Sequence, residues 1–276
     1  MGKTKKTKTA LVTGASSGIG RELAELCARD GYDLVLVARR EDRLRSLQEA
    51  WSKRYAVQVR VVPMDLSDPS APQRLFNELT GTSVDILINS AGFGSYGPFV
   101  ESDPAQQIEM IQVNVAALTH LTRLFLPPML RRGEGRILNL ASTAAFQPGP
   151  LMAVYYATKS FVLSFSEALS EELRGSGVTV TALCPGTTAT EFQARAALER
   201  SGLLRFGLMD VRPVAEAGYR AMLQGKAIVV PGTLNRVVAS LVGVVPRSLV
   251  RRTVKRLQSQ VTARPPSSVP PTRGSV

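Results

Sequence analysis

Thr13 to Gly20 reads TGASSGIG. It follows a short apolar run, Thr9 to Val12, and precedes a helical pattern of Leu23, Leu26 and Cys27 that closes at Gly31. A strand, a glycine-rich turn and a helix in that order make the opening of a dinucleotide-binding βαβ unit. The glycines stand at Gly14, Gly18 and Gly20, a G-x-x-x-G-x-G spacing. They keep side chains out of the turn, so that backbone N–H groups and the helix N-terminus can approach a pyrophosphate.

The rest of the chain supplies what such an opening needs. Apolar runs predict strands at Asp33–Ala38, Gln58–Val62, Val84–Ile88, Arg136–Leu140, Val178–Leu183 and Ala227–Val230. Helical spacing predicts helices at Glu41–Arg54, Ala105–Leu126 and Val154–Leu173. The expected fold class is α/β: a single Rossmann-type doubly wound parallel sheet over residues 9–232 with helices on both faces. Residues 1–8 form a basic tail, 233–262 a basic amphipathic helical extension, and the Pro/Ser-rich end from 263 to 276 is expected to be disordered. In a parallel sheet, ligands collect at the carboxyl ends of the strands. Gly14, Arg39, Asp65, Asn89 and Ser142 all fall at such ends.

The chemistry concentrates between Asn139 and Lys159. Ser142 lies 13 residues before Tyr155, and Lys159 follows Tyr155 by four. Positions i and i+4 share a helix face, so the Lys159 ammonium is expected near the Tyr155 phenol. A cation there would lower a phenol pKa that is ordinarily near 10. Tyr155 then becomes a proton donor to a carbonyl oxygen or acceptor from an alcohol, with the Ser142 hydroxyl offering that oxygen a second hydrogen bond. Tyr156 has Ser160 four residues on, not a cation, and is expected to be a packing residue. Asn114 sits in an apolar stripe with Ile111, Val115 and Leu118, as a structural bracket or part of a proton path.

Arg39 stands 19 residues past Gly20, where an arginine accommodates the 2′-phosphate of NADP and an acid would hold the ribose of NAD. NADP is the expected cofactor; the alternative has Glu41 or Asp42 serving an NAD ribose. Asp65 could accept from an adenine amino group or cap a turn.

The net charge of +12 does not make a nucleic-acid footprint. Thirteen of the 34 basic residues lie in residues 1–9 and 226–276, which hold no acid, and the body between is close to neutral. His120 is the single histidine, which argues against a His-based metal cluster or a Ser-His-Asp triad. Cys27 and Cys184 read as reduced core thiols, suiting a cytoplasmic compartment. No signal peptide follows the first lysines.

Together, TGASSGIG, Asn114, Ser142, YYATK from Tyr155 to Lys159, and the Cys184-Pro185-Gly186 turn resemble the short-chain dehydrogenase/reductase family over roughly residues 8 to 232. The resemblance implies that Ser142 orients the carbonyl and that Tyr155 is the general acid or base. It implies that Lys159 lowers the Tyr155 pKa and holds the nicotinamide ribose, and that Asn114 supports a water-linked proton relay. It assigns dinucleotide contacts to Gly14, Ser16, Ser17, Gly18, Ile19, Gly20 and Arg39, and the adenine to Asp65 and Leu66. Asn89, Ala91 and Gly92 fall to the centre of the cofactor, and Pro185, Gly186 and Thr190 to its nicotinamide side. Ser90 departs from the family's usual second Asn. A homo-oligomer, dimer or tetramer, follows by analogy.

The substrate is less constrained. Residues Thr187 to Met209 are expected to form a lid carrying Phe192, Leu198, Leu203, Leu204, Phe206 and Met209, and Leu151 and Met152 precede the Tyr. An apolar mouth suits a fatty-acyl, lipid or steroid-like carbonyl compound, with Leu151 and Phe192 touching it; lid helices packing on the domain give the same pattern. The first reading is NADPH-dependent ketone reduction. The alternatives are an NADP-linked secondary-alcohol dehydrogenase and a non-catalytic NADP-binding regulator or membrane adaptor. Beyond Pro246, Val250, Val254, Leu257 and Val261 recur among Arg247, Arg251, Arg252, Lys255 and Arg256. That pattern fits peripheral binding to an anionic membrane, at the inner face, or a helix docked on its own domain or a neighbouring subunit.

Overall fold

The computed structural model describes residues 8–196 and 207–259. Its sheet has the strands Thr9–Thr13 (β1), Asp33–Ala38 (β2), Val59–Pro63 (β3), Val84–Asn89 (β4), Gly135–Leu140 (β5), Val178–Leu183 (β6) and Ile228–Val229 (β7). They run parallel in the order β3-β2-β1-β4-β5-β6-β7. Strand order reverses between β1 and β4, which makes the crevice beyond their carboxyl ends the natural ligand site.

The strands are apolar almost throughout because both faces are covered. Helices Gly18–Arg29 (α1) and Glu41–Tyr55 (α2) pack with a later helix, Val211–Leu223 (α8), on the face presented by Ala10 and Val12. On the opposite face Leu11, Val35 and Leu87 meet Ala71–Glu78 (α3) and Leu118–Arg132 (α5). Fully buried side chains such as Leu11, Leu23 and Leu121 each contribute about 1.5–3 kcal/mol of transfer free energy. Helix Ala153–Glu172 (α6) packs Val162 and Leu163 against Ala182 and Cys184. Cys27 and Cys184 are both buried and free.

Neither α3 nor α8 was expected from the sequence. In α8 the buried side is Val214, Ala215, Gly218, Tyr219 and Met222, an apolar stripe at helical spacing interrupted by a glycine. Gly218 is required by proximity, since a Cβ there would stand 2.5 Å from Leu183. The single helix predicted over Ala105–Leu126 is instead Pro104–Ile111 (α4), a π-helical turn at Gln112–Ala117, and α5, which continues past Pro127 and Pro128 to Arg132. Such π turns often mark functional sites, and this one carries Asn114.

After the four-residue helix Phe192–Arg195 (α7) and then α8, the chain ends in Thr233–Val242 (α9) and Arg247–Gln258 (α10). Helix α10 docks on its own domain: Val250, Val254 and Gln258 are buried, and the Gln258 amide donates to the Tyr156 hydroxyl at 2.8 Å. Tyr96 in turn donates to the Gln258 carbonyl at 2.6 Å. Among the described residues, no helix is long and apolar enough to cross a membrane. Residues 1–7, Leu198, Leu203, Leu204, Phe206 and Val261, with the 263–276 tail, lie outside the described residues.

Candidate active site

The glycine-rich turn sits at the switch point, pressed against the end of β4. A Cβ on Gly14 would lie 2.8 Å from the Ala91 nitrogen, and one on Gly20 would lie 2.5 Å from the Gly14 carbonyl. Gly14 also has φ +66°, in the left-handed region. The Thr13 hydroxyl accepts from the Ser90 and Ala91 N–H groups at 3.1 and 3.2 Å, tying the two strand ends together. These contacts use the Ser90 backbone, so the missing Asn leaves this clamp intact.

A cavity of about 490 Å³ runs from this turn to the start of α6. Ser16, Ser17, Gly18, Ile19, Arg39, Asp65 and Leu66 line one end. Ala91 and Gly92 line its middle, and Ser142, Tyr155, Lys159, Pro185, Gly186, Thr190 and Phe192 the other end. At the first end Arg40, not singled out from the sequence, reaches across the turn. Its guanidinium donates to Ser17 Oγ at 2.8 Å and Ser16 Oγ at 2.9 Å, and pairs with Glu191 at 2.6 Å. The guanidinia of Arg43 and Arg40 hold the Glu191 carboxyl down at about 2. Arg39 lies 3.7 Å from Asp65 and 3.8 Å from Glu109. Burial pushes the Asp65 carboxyl up, but hydrogen bonds from Ser67 and the Arg39 charge leave it below its ordinary value. Glu41 is paired with Arg45 on the outside of α2. Two guanidinia beside the serine hydroxyls of a bare turn fit a dinucleotide carrying an extra phosphate, as in NADP.

At the other end the β5 strand delivers Ser142, whose Oγ caps the following turn by accepting from the Ala144 N–H at 3.1 Å. The buried Tyr155 phenol lies beside Ser142, and burial drives its pKa upward beyond what that neighbour recovers. Lys159 Nζ lies 5.8 Å from the centre of the Tyr155 ring and donates to the Leu140 carbonyl at 2.7 Å. Burial lowers the Lys159 ammonium to about 8. The Tyr155 shift is set by burial and partly offset by Ser142, and Lys159 is not among its causes in this geometry.

Asn114 is fully buried. Its Oδ1 accepts from the Phe93 N–H at 3.1 Å, and its Nδ2 donates to the Phe93 carbonyl at 2.9 Å and to Thr158 Oγ1 at 3.1 Å. It is thus a bracket joining the β4 loop, the π turn and α6. A Cβ on Gly92 would stand 3.0 Å from Asn114 Oδ1 and 3.6 Å from Lys159 Nζ, so these groups converge on one bare backbone.

Two sequence expectations fail here. Asn89 turns its side chain into the protein, donating to Asn139 Oδ1 at 2.9 Å and Thr122 Oγ1 at 3.1 Å, and does not line the cavity. Its side chain braces β4 against β5. Leu151, at φ +67°, faces a small neighbouring crevice, while its neighbour Met152 lines the main cavity. Phe192 lines the cavity, with its ring 5.2 Å from that of Tyr155. Phe93 and Val113, which the sequence pattern did not single out, complete an apolar wall with Met152 and Tyr156. Gln193 fixes the start of the lid, its Oε1 accepting from the Thr190 N–H at 3.0 Å and its amide donating to the Thr188 carbonyl. Among the described residues, no cluster of three or more His, Cys, Asp or Glu side chains could hold a metal ion.

The family model for short chain dehydrogenase matches residues 8–201. The human very-long-chain 3-oxoacyl-CoA reductase is 33% identical over 186 residues, 66% of this chain and 60% of that protein, so the match spans less than two thirds of this relative's length. A solved short-chain dehydrogenase from Sphingobium yanoikuyae in complex with NADPH is 33% identical, with a TM-score of 0.77 over 87% of this chain and 97% of that one. A bulky-bulky ketone specific alcohol dehydrogenase from Comamonas testosteroni is 29% identical, with a TM-score of 0.74 over 88% and 97%.

Proposed function

The chain belongs to the short-chain dehydrogenase/reductase family, and from that premise we propose that it is an NADPH-dependent reductase of a hydrophobic, fatty-acyl-like ketone. One observation carries the reading: a buried phenol, Tyr155, beside Ser142 at the apolar end of a cavity whose other end presents Arg39 and Arg40. Burial keeps Tyr155 protonated at neutral pH, the form in which a phenol can donate to a carbonyl oxygen. Reduction, rather than the reverse oxidation of a secondary alcohol, is supported by the name of the human reductase.

The residues present would hold NADPH along the turn, with Arg40 and Arg39 at the 2′-phosphate, Asp65 and Leu66 at the adenine, and Lys159 at the nicotinamide ribose. The cofactor, when bound, supplies a hydride to the carbonyl carbon. Tyr155 Oη gives its proton to the carbonyl oxygen, and Ser142 Oγ donates a hydrogen bond to the same oxygen as negative charge develops there. Asn114 holds the π turn beside Lys159, where a proton can be returned to Tyr155. Phe93, Met152, Tyr156 and Phe192 exclude water from the reacting carbonyl, which strengthens both hydrogen bonds. Ketone specificity in the Comamonas testosteroni enzyme and the name of the human reductase support a bulky or long-chain substrate.

The test is NADPH oxidation over a ketone series from short ketones through 3-ketoacyl thioesters of rising chain length to steroids. A rate that climbs with acyl length is expected. A rate independent of apolar bulk would overturn the substrate class, and oxidation of secondary alcohols alone would overturn the direction.

A further inference from the structure

Helix α9 exposes an apolar face that the domain does not use. Leu234, Val237, Val238 and Leu241 recur at helical spacing on one side, and Leu234 is 74% exposed. Val244 and Leu249 continue the stripe into α10, with Val244 79% exposed. The opposite side of α9 is anchored: Asn235 Nδ2 donates to the Pro231 carbonyl at 3.0 Å and contacts Met209 Sδ at 3.1 Å. A Cβ on Gly186, in the cavity wall, would meet that same amide at 2.5 Å. The stripe therefore lies about one helix diameter, ~10 Å, from the cavity wall.

The charge around the stripe identifies its partner. Arg236, Arg247, Arg251, Arg252, Lys255 and Arg256 are all exposed, and the sequence from Lys226 onward contains no acid. Val250 and Val254 of α10 are buried against the domain, so apart from Leu249 the exposed side of α10 presents mainly cations. We propose that α9 and the start of α10 form a docking surface for an anionic lipid bilayer, with the α9 stripe entering the acyl boundary and the α10 cations meeting the headgroups. An apolar stripe bordered by unpaired cations is the pattern of an interfacial helix. It differs from the sequence expectation in its insertion surface, which is α9 and not the buried face of α10.

The experiment is co-sedimentation of the full chain with phosphatidylcholine vesicles, with and without phosphatidylserine, beside sedimentation velocity without lipid. Both variants, Leu234→Glu/Leu241→Glu and Arg251→Glu/Arg252→Glu, alter exposed side chains, and unchanged thermal unfolding and NADPH affinity confirm their folding. The wild-type chain should bind the phosphatidylserine vesicles, release with salt, and bind roughly tenfold more weakly in either variant. Equal binding by wild type and Leu234→Glu/Leu241→Glu, or no preference for phosphatidylserine, would overturn the proposal. So would a wild-type dimer that Leu234→Glu/Leu241→Glu dissociates while neither protein binds vesicles, because a second copy would then cover the stripe.

Discussion

Lys159 carries a cost that its position explains. It is buried, its Nζ satisfies the Leu140 carbonyl, and its pKa falls to about 8 from an ordinary 10.5. Between those values the unfolded chain binds more protons than the folded one, so stability should rise with pH through that window. The gain is about 3 kcal/mol over the full window. The Lys159→Met variant lacks this titration, whereas Tyr155 is common to both proteins. Denaturant unfolding of the two without cofactor should therefore diverge between about pH 8 and 10.5, wild type gaining on the variant; parallel stability curves would contradict the buried-cation account. The i,i+4 spacing brought Tyr155 and Lys159 together as expected, but spacing carries no information about desolvation, and desolvation decides both pKa values. Asn89 fails for a related reason: an amide at a strand end reads alike whether it turns toward the cavity or into the sheet.

At the scale of elements, the strands were legible because burial on both faces makes them apolar runs, and the Glu41–Tyr55 and Ala153–Glu172 helices because they are long and unbroken by Gly or Pro. The π turn at Gln112–Ala117 was not, since one extra residue in a helix changes no composition. Helix α8 carries Pro213 and Gly218, which read as breaks in a sequence, yet the bare Gly218 is what lets it approach β6. The two turns at the switch point interact in a way no linear pattern contains: Arg40, leading into α2, reaches the Ser16 and Ser17 hydroxyls leading into α1. Arg40→Ala should weaken NADPH roughly 10- to 100-fold, the value of a charge-assisted phosphate contact, and leave NADH affinity nearly unchanged. Cofactor titration decides it; equal loss for both nucleotides would mean that Arg40 only shapes the turn.

For the whole molecule, the parallel sheet and the clustering of Gly14, Arg39, Asp65 and Ser142 at strand ends were readable in advance, because topology fixes where strand ends meet. The docking of α10 through Gln258 onto Tyr156 was one of several options in the sequence, because an amphipathic helix does not state which surface it covers. The account centres on Tyr155 as the proton donor to a ketone. The most direct measurement is NADPH-dependent ketone turnover by Tyr155→Phe, read beside NADPH affinity. Removing only the hydroxyl should cut turnover about 100- to 10,000-fold while NADPH binds as in wild type. Turnover preserved in Tyr155→Phe would contradict the account.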